Sequence, residues 1–148
     1  MELTMNKLTK QYRNVIAVDQ VSVTLQEGVY GLLGATGAGK TTLMRMLCEI
    51  QTPTSGQVLC NRTAISEMGE SYRHLLGYLP QSFGYYPEFT AFHFMIYLAG
   101  LKGIPRAAAK LRVLELLDTV RLLKERDKKI RHFSGGLKQR LGIAQALL

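Results

Sequence analysis

The segment Gly34-Ala35-Thr36-Gly37-Ala38-Gly39-Lys40-Thr41 fits the pattern G-x-x-x-x-G-K-[ST] and constrains this chain more than any other stretch. It stands between a short apolar run, Val29-Tyr30-Gly31-Leu32-Leu33, and a segment in which Leu43, Met46, Leu47 and Ile50 recur at helical spacing. Three glycines let the backbone turn tightly enough for successive N–H groups to point inward. A helix beginning near Lys40 adds the positive end of its dipole, so a di- or triphosphate fits the cradle. In this pattern Lys40 reaches the β- and γ-phosphates, Thr41 offers its hydroxyl to Mg²⁺, and Thr42 donates to the phosphates from the first helical turn.

The remainder of the chain has the means to bury a core around such a loop. Of its 148 residues 47% are hydrophobic and 20% charged, with 5 Phe and 7 Tyr, a composition too apolar and aromatic for disorder. No apolar run reaches the ~18 residues of a membrane span. The start, Met1-Glu2-Leu3-Thr4-Met5-Asn6-Lys7, lacks the basic and apolar blocks of a secretory leader. A cytosolic chain is expected. Cys48 and Cys60 form no CxxC, and His74, His93 and His132 are scattered, which indicates neither a zinc site nor a disulfide framework.

Periodicity divides the chain into a β/α part and a helical part. Residues 15–25 end in strict alternation, with Val21, Val23 and Leu25 on one face of a half-buried strand. Val29–Leu33 reads as a strand buried on both faces, Gln57–Cys60 as a further strand and Leu75–Leu79 as another, stopped by Pro80. Beyond about residue 90 the spacing of Phe94, Tyr97, Leu98 and Leu101, and then of Val113, Leu116, Leu117 and Val120, is helical, with a break at Gly103-Ile104-Pro105. Ser134-Gly135-Gly136 opens one more helix, carried by Leu137, Leu141, Ala144 and Leu148.

The net charge of +8 lies wholly within residues 101–140, which hold twelve Lys or Arg against four acids. Such a stripe fits a nucleic-acid or anionic-membrane contact, or simply the solvated faces of helices. No aromatic residue interleaves with the basic ones before Phe133, so the base-stacking pattern of single-strand binders is missing.

A phosphate loop implies a nucleotide without a purpose. The purpose comes from His132-Phe133-Ser134-Gly135-Gly136-Leu137-Lys138-Gln139-Arg140. Here the chain closely resembles the ATP-binding cassette (ABC) ATPases, whose signature is Leu-Ser-Gly-Gly-Gln followed by a basic helix. Ser134, Gly135 and Gly136 match, while Phe133 replaces the Leu and Leu137 the Gln. By that resemblance Ser134, Gly135 and Gly136 form a second anion grip, which meets the γ-phosphate held by another ATP-binding subunit in an ATP-sandwich dimer. Gln81, in Leu79-Pro80-Gln81-Ser82, resembles the glutamine that touches the metal and the attacking water. Tyr12 occupies the place of the aromatic that stacks on adenine.

The resemblance covers essentially the whole chain and implies an α/β fold of the P-loop NTPase type. Its parts are a RecA-like parallel sheet core, an N-terminal antiparallel β-subdomain and an inserted helical subdomain. The expected divisions are 1–90 for the β/α nucleotide-binding part, 91–133 for the helical subdomain and 134–148 for the start of the signature helix. The family's apolar strand ending in Asp-Glu is not found after the signature. Val15-Ile16-Ala17-Val18-Asp19 lies upstream of the phosphate loop, and Asp19 reads as structural. The chain therefore reads as the N-terminal part of a longer cassette, truncated inside the signature helix and inactive or very slow by itself.

The resemblance further implies an ATPase using ATP and Mg²⁺, cytoplasmic and peripheral on the inner face of the membrane. It would couple hydrolysis to transport through separate membrane-spanning subunits, with nucleic acid not expected as a partner. Phe83-Gly84-Tyr85-Tyr86-Pro87 would form the groove for a membrane-subunit helix, and the loops look most like those of bacterial drug and antibiotic exporters. Two alternatives stay open: a soluble ABC-type ATPase acting on nucleic acid or ribosomes, and a nucleotide-binding fragment without activity.

Overall fold

Met5 and Leu8 are both buried although they stand three positions apart, a spacing that a regular strand would send to opposite faces. The computed structural model, which describes residues 1–148, resolves the conflict. Strand β1 (Leu3–Tyr12) carries a bulge at Lys7, whose φ is +44°, and β2 (Val15–Leu25) carries another at Gln20, φ +41°. The extra residue in each returns the next apolar side chain to the core face, so that Leu8 pairs with Val21 while Met5 pairs with Val23. Val18 is buried, Val21 and Leu25 are half-buried, and Val23 is exposed. The alternation expected at 21, 23 and 25 therefore holds for two of its three residues.

Strand β3 (Ser55–Cys60) begins two residues earlier than expected and pairs with β1, and the two-residue β4 (Thr63–Ala64) pairs with β3. The sheet order is β2-β1-β3-β4, and every ladder is antiparallel. This is the expected N-terminal antiparallel β-subdomain. The two strands expected to begin a parallel core do not form, because residues 29–33 and 75–79 belong to no ladder. A continuous apolar run becomes a strand only where a neighbour completes its backbone hydrogen bonds, and no strand of this chain does so there.

The chain divides into two compact units, Met1–Leu76 and Gly77–Leu148. In the first, helix α1 (Lys40–Leu47) and the short helices α2 (Ile65–Met68) and α3 (Glu70–Arg73) accompany the sheet. Met5, Leu8, Val18, Met46, Val58 and Tyr72 belong to its core. The Tyr72 hydroxyl donates to the Leu47 carbonyl at 2.6 Å, closing the C-terminal end of α1. Burial pushes the Tyr72 phenol up to about 12. Ile50, expected on the inner face of the helix, lies beyond its end and is exposed.

The second unit is helical. Helices α4 (Ala91–Leu101), α5 (Arg106–Thr119) and α6 (Gly135–Ala146) enclose Phe94, Met95, Val113, Leu117, Ile130 and Leu141. The helices form where they were expected, since intrahelical bonds need only local chain, but on α4 Tyr97 and Leu101 are exposed and Met95 and Ala99 are buried in their place. The division expected near residue 90 falls inside this unit. No helix of the chain is long and apolar enough to cross a membrane.

Candidate functional site

The first unit places the glycine-rich loop at the start of α1, where helix N–H groups stay open. Gly39 caps the helix with φ +80° and makes no side-chain cap hydrogen bond, and the first helical bond runs from the Leu43 N–H to the Gly39 carbonyl at 2.9 Å. The N–H groups of Lys40, Thr41 and Thr42 are thus left without intrahelical partners at the positive end of the dipole. A Cβ on Gly39 would overlap the Ala17 carbonyl oxygen of β2, so glycine is what seats the loop against the sheet. Residues 34–38 are exposed, with a turn from the Ala38 N–H to the Ala35 carbonyl at 3.2 Å. Lys40 Nζ folds back over this loop and donates to the Gly34 and Ala35 carbonyls, both at 2.7 Å. An ammonium held only by two neutral carbonyls, beside a helix start with open N–H groups, is suited to an anion, which would give it charge-assisted partners instead.

Tyr12 stands on the last position of β1, half-exposed, beside the same helix. The Gln51 side-chain amide donates to its hydroxyl and holds the phenol below its usual range, and a hydrogen bond with Thr42 acts in the same direction. Lys10 Nζ lies 5.5 Å from the centre of the Tyr12 ring and donates to the Thr52 carbonyl at 2.6 Å. The first unit thus brings together Tyr12, Thr42 and the loop. It adds Gln51 and Lys10, for which no local pattern gave a signal.

In the second unit Ser134 caps α6 with its own hydroxyl, which accepts from the Leu137 N–H at 3.3 Å. Phe133 is buried in the helical core, which accounts for a bulky apolar residue at that place. A Cβ on Gly135 or on Gly136 would meet nothing, so packing within the chain gives no reason for glycine at either position. Gln81 is exposed in an irregular segment and follows no strand, contrary to expectation. That segment lies along α6, where a Cβ on Gly142 would come within 2.7 Å of both Leu79 Cδ1 and Phe83 Cε1. The absence of a Cβ at Gly142 leaves room for the ends of the Leu79 and Phe83 side chains against α6.

After Gln81 the aromatic residues cluster. Tyr86 lies 5.0 Å from Phe89 and meets Tyr97 edge-on at 5.6 Å, with Tyr86 and Tyr97 partly exposed. Lys138 Nζ lies 5.1 Å from the centre of the Tyr85 ring. Five of the twelve basic residues of the 101–140 stripe, Arg112, Arg126, Lys128, Lys129 and Arg131, pair with acids. Much of the stripe is a solvated face laced with ion pairs.

The phosphate loop and the capped signature helix stand in the order the resemblance requires, and comparison with known proteins agrees. The model of the family described as ABC transporter matches residues 18–148. The chain belongs to this family of ABC transporter ATP-binding proteins. It is 40% identical over 149 residues to the uncharacterized ABC transporter ATP-binding protein YxlF of Bacillus subtilis (strain 168), covering 99% of this chain and 48% of that protein. Another relative, 38% identical over 143 residues, is the methionine import ATP-binding protein MetN 1 of Rhodopseudomonas palustris (strain ATCC BAA-98 / CGA009), with 93% of this chain and 38% of that protein covered. Among solved structures, the ATP-binding subunit of an ABC transporter superposes with a TM-score of 0.73 at 26% identity, over 98% of this chain and 61% of that one.

This ABC chain spans about half the length of the curated relatives it matches, or less. The relatives include methionine import proteins, so the exporter subtype expected from the loops does not follow from them.

Proposed function

We infer that this chain binds ATP with Mg²⁺ at the loop 34–42 as the nucleotide-binding part of an ABC transporter. The observation that carries this reading is the α1 N-terminus that no side chain caps, together with the Lys40 ammonium held by the loop's Gly34 and Ala35 carbonyls. The N–H groups of the Gly34–Gly39 loop wrap the phosphates and Lys40 exchanges two carbonyl partners for phosphate oxygens. Thr42 donates from the first turn, and Tyr12 stacks on adenine. Thr41 is the residue of the first unit that would hold Mg²⁺, which when bound would neutralise phosphate charge. Gln81 takes its metal- and water-contacting role from the family resemblance alone.

Ser134, Gly135 and Gly136 contact the γ-phosphate bound by a second ATP-binding subunit; the open surroundings of the two glycines support this assignment. The exposed aromatic residues around Tyr86 and Tyr97 meet a membrane-spanning subunit, which keeps the protein at the inner face of the membrane. Closure of two ATP-binding subunits on ATP is thereby coupled to transport, in a direction set by the membrane subunits. The pairing of basic residues with acids supports a reading without nucleic acid.

Titration with a fluorescent ATP analogue tests the binding site. Lys40→Ala, which removes a charge-assisted hydrogen bond of about 1.5–3 kcal/mol, should weaken binding by roughly ten- to a hundredfold. Equal affinity in both chains would refute the reading.

A further inference from the structure

Tyr12 is held from the side by a turn that has no assigned role. Gln51 lies just beyond α1, and its amide donates to the Tyr12 hydroxyl. The same turn is tied to the end of β1 at three more points. Lys10 Nζ reaches the Thr52 carbonyl at 2.6 Å, the Gln11 N–H reaches Thr54 Oγ1 at 3.0 Å, and the Thr54 N–H reaches the Thr9 carbonyl at 2.8 Å. Lys10 at 5.5 Å from the ring centre is within cation–π range of Tyr12. A half-exposed aromatic at the last position of a strand would otherwise be free to change rotamer, and a platform that must be ordered on binding loses affinity to that ordering.

We propose that Gln51 is a positioning residue for base recognition, fixing the Tyr12 ring through its hydroxyl so that the ring is already oriented to stack on adenine. Lys10 supports the same ring from the Thr52 carbonyl. The proposal rests on the reading of Tyr12 as the adenine platform. The Gln51 hydrogen bond is also the largest cause of the lowered phenol. Gln51 acts on the base and not on the phosphates, which remain with Lys40 and the loop.

The test is a cycle of four chains, the parent, Gln51→Ala, Tyr12→Phe and the double variant. Each is titrated with a fluorescent ATP analogue and, separately, with inorganic tripolyphosphate. A base–aromatic stack contributes about 1–3 kcal/mol, and losing its orientation forfeits part of that, so Gln51→Ala should weaken ATP about three- to tenfold. Tripolyphosphate binding should not change. In the Tyr12→Phe background, where no hydroxyl remains to be held, Gln51→Ala should have no effect. Gln51→Met, which keeps the length without the donor, should behave as Gln51→Ala does. The proposal is overturned by equal weakening with and without the Tyr12 hydroxyl, by loss of tripolyphosphate binding in both Gln51 variants, or by no weakening at all. Tyr12→Ala separates this from the underlying reading: unchanged ATP affinity there removes Tyr12 as the platform. A loss there beside a silent Gln51→Ala removes only the positioning.

Discussion

At the scale of single residues, Gly39 shows how a motif position acquires its chemistry from a neighbour. Its φ of +80° turns the loop into α1, and the Ala17 carbonyl of β2 fills the space where a side chain would stand. Gly39→Ala should cost at least about 1–2 kcal/mol from the left-handed conformation alone, with the overlap on Ala17 added to it. Urea denaturation should show the loss, and ATP titration should show binding weakened with it. Gly39 and Lys40 were legible because their motif is contiguous in the chain. Gln51 was not, since it stands 39 residues from Tyr12 and only the fold brings the two side chains together.

Among the helices, α1 and α6 treat their N-termini in opposite ways. Ser134 occupies part of the α6 terminus with its own hydroxyl, whereas α1 leaves its first N–H groups open, which suits α1 for the tighter anion grip. The segment before the α6 cap is anchored by Glu88, which accepts from Lys129 at 3.0 Å and from Arg131 at 2.9 Å. The Lys129 hydrogen bond, with help from Arg131, holds the Glu88 carboxyl below the usual range. A depressed carboxyl contributes its stabilisation at pH values above the usual carboxylate range and loses it as the pH falls through its own lower value. The urea midpoint should therefore fall more steeply with acid in the parent than in Glu88→Gln, with a small difference because the pair is exposed. Identical acid dependence in the two chains would refute the role assigned to Glu88. Among the strands, β1 escaped detection because its bulge breaks the two-residue alternation by which strands are read.

The molecule as a whole carries two separate apolar cores and leaves Val29 and Leu33 almost wholly exposed. Met44 on α1 is also partly exposed. Surface of this kind favours association, since burying each such side chain is worth roughly 1.5–3 kcal/mol. Light scattering should show self-association rising with concentration, reduced when Val29 and Leu33 are both changed to Ser. No reduction would mean that another surface drives it. Five basic residues of the 101–140 stripe stand in exposed ion pairs, two of them with Glu88 from outside it, while the net excess stays on that face.

Reading the residues in order was enough to locate the glycine-rich loop before α1, the Ser134 cap of α6 and the helical second half. All three depend on groups within a few positions of one another, and backbone bonds of short range suffice to form them. Strand partnership was beyond such a reading. The bulged pairing of β1 with β2, the unpaired state of residues 29–33, the seat of Gly39 on Ala17 and the hold of Gln51 on Tyr12 all join distant parts of the chain. A hydrogen bond between distant segments exists only when packing brings both groups together, so these features belong to the folded molecule.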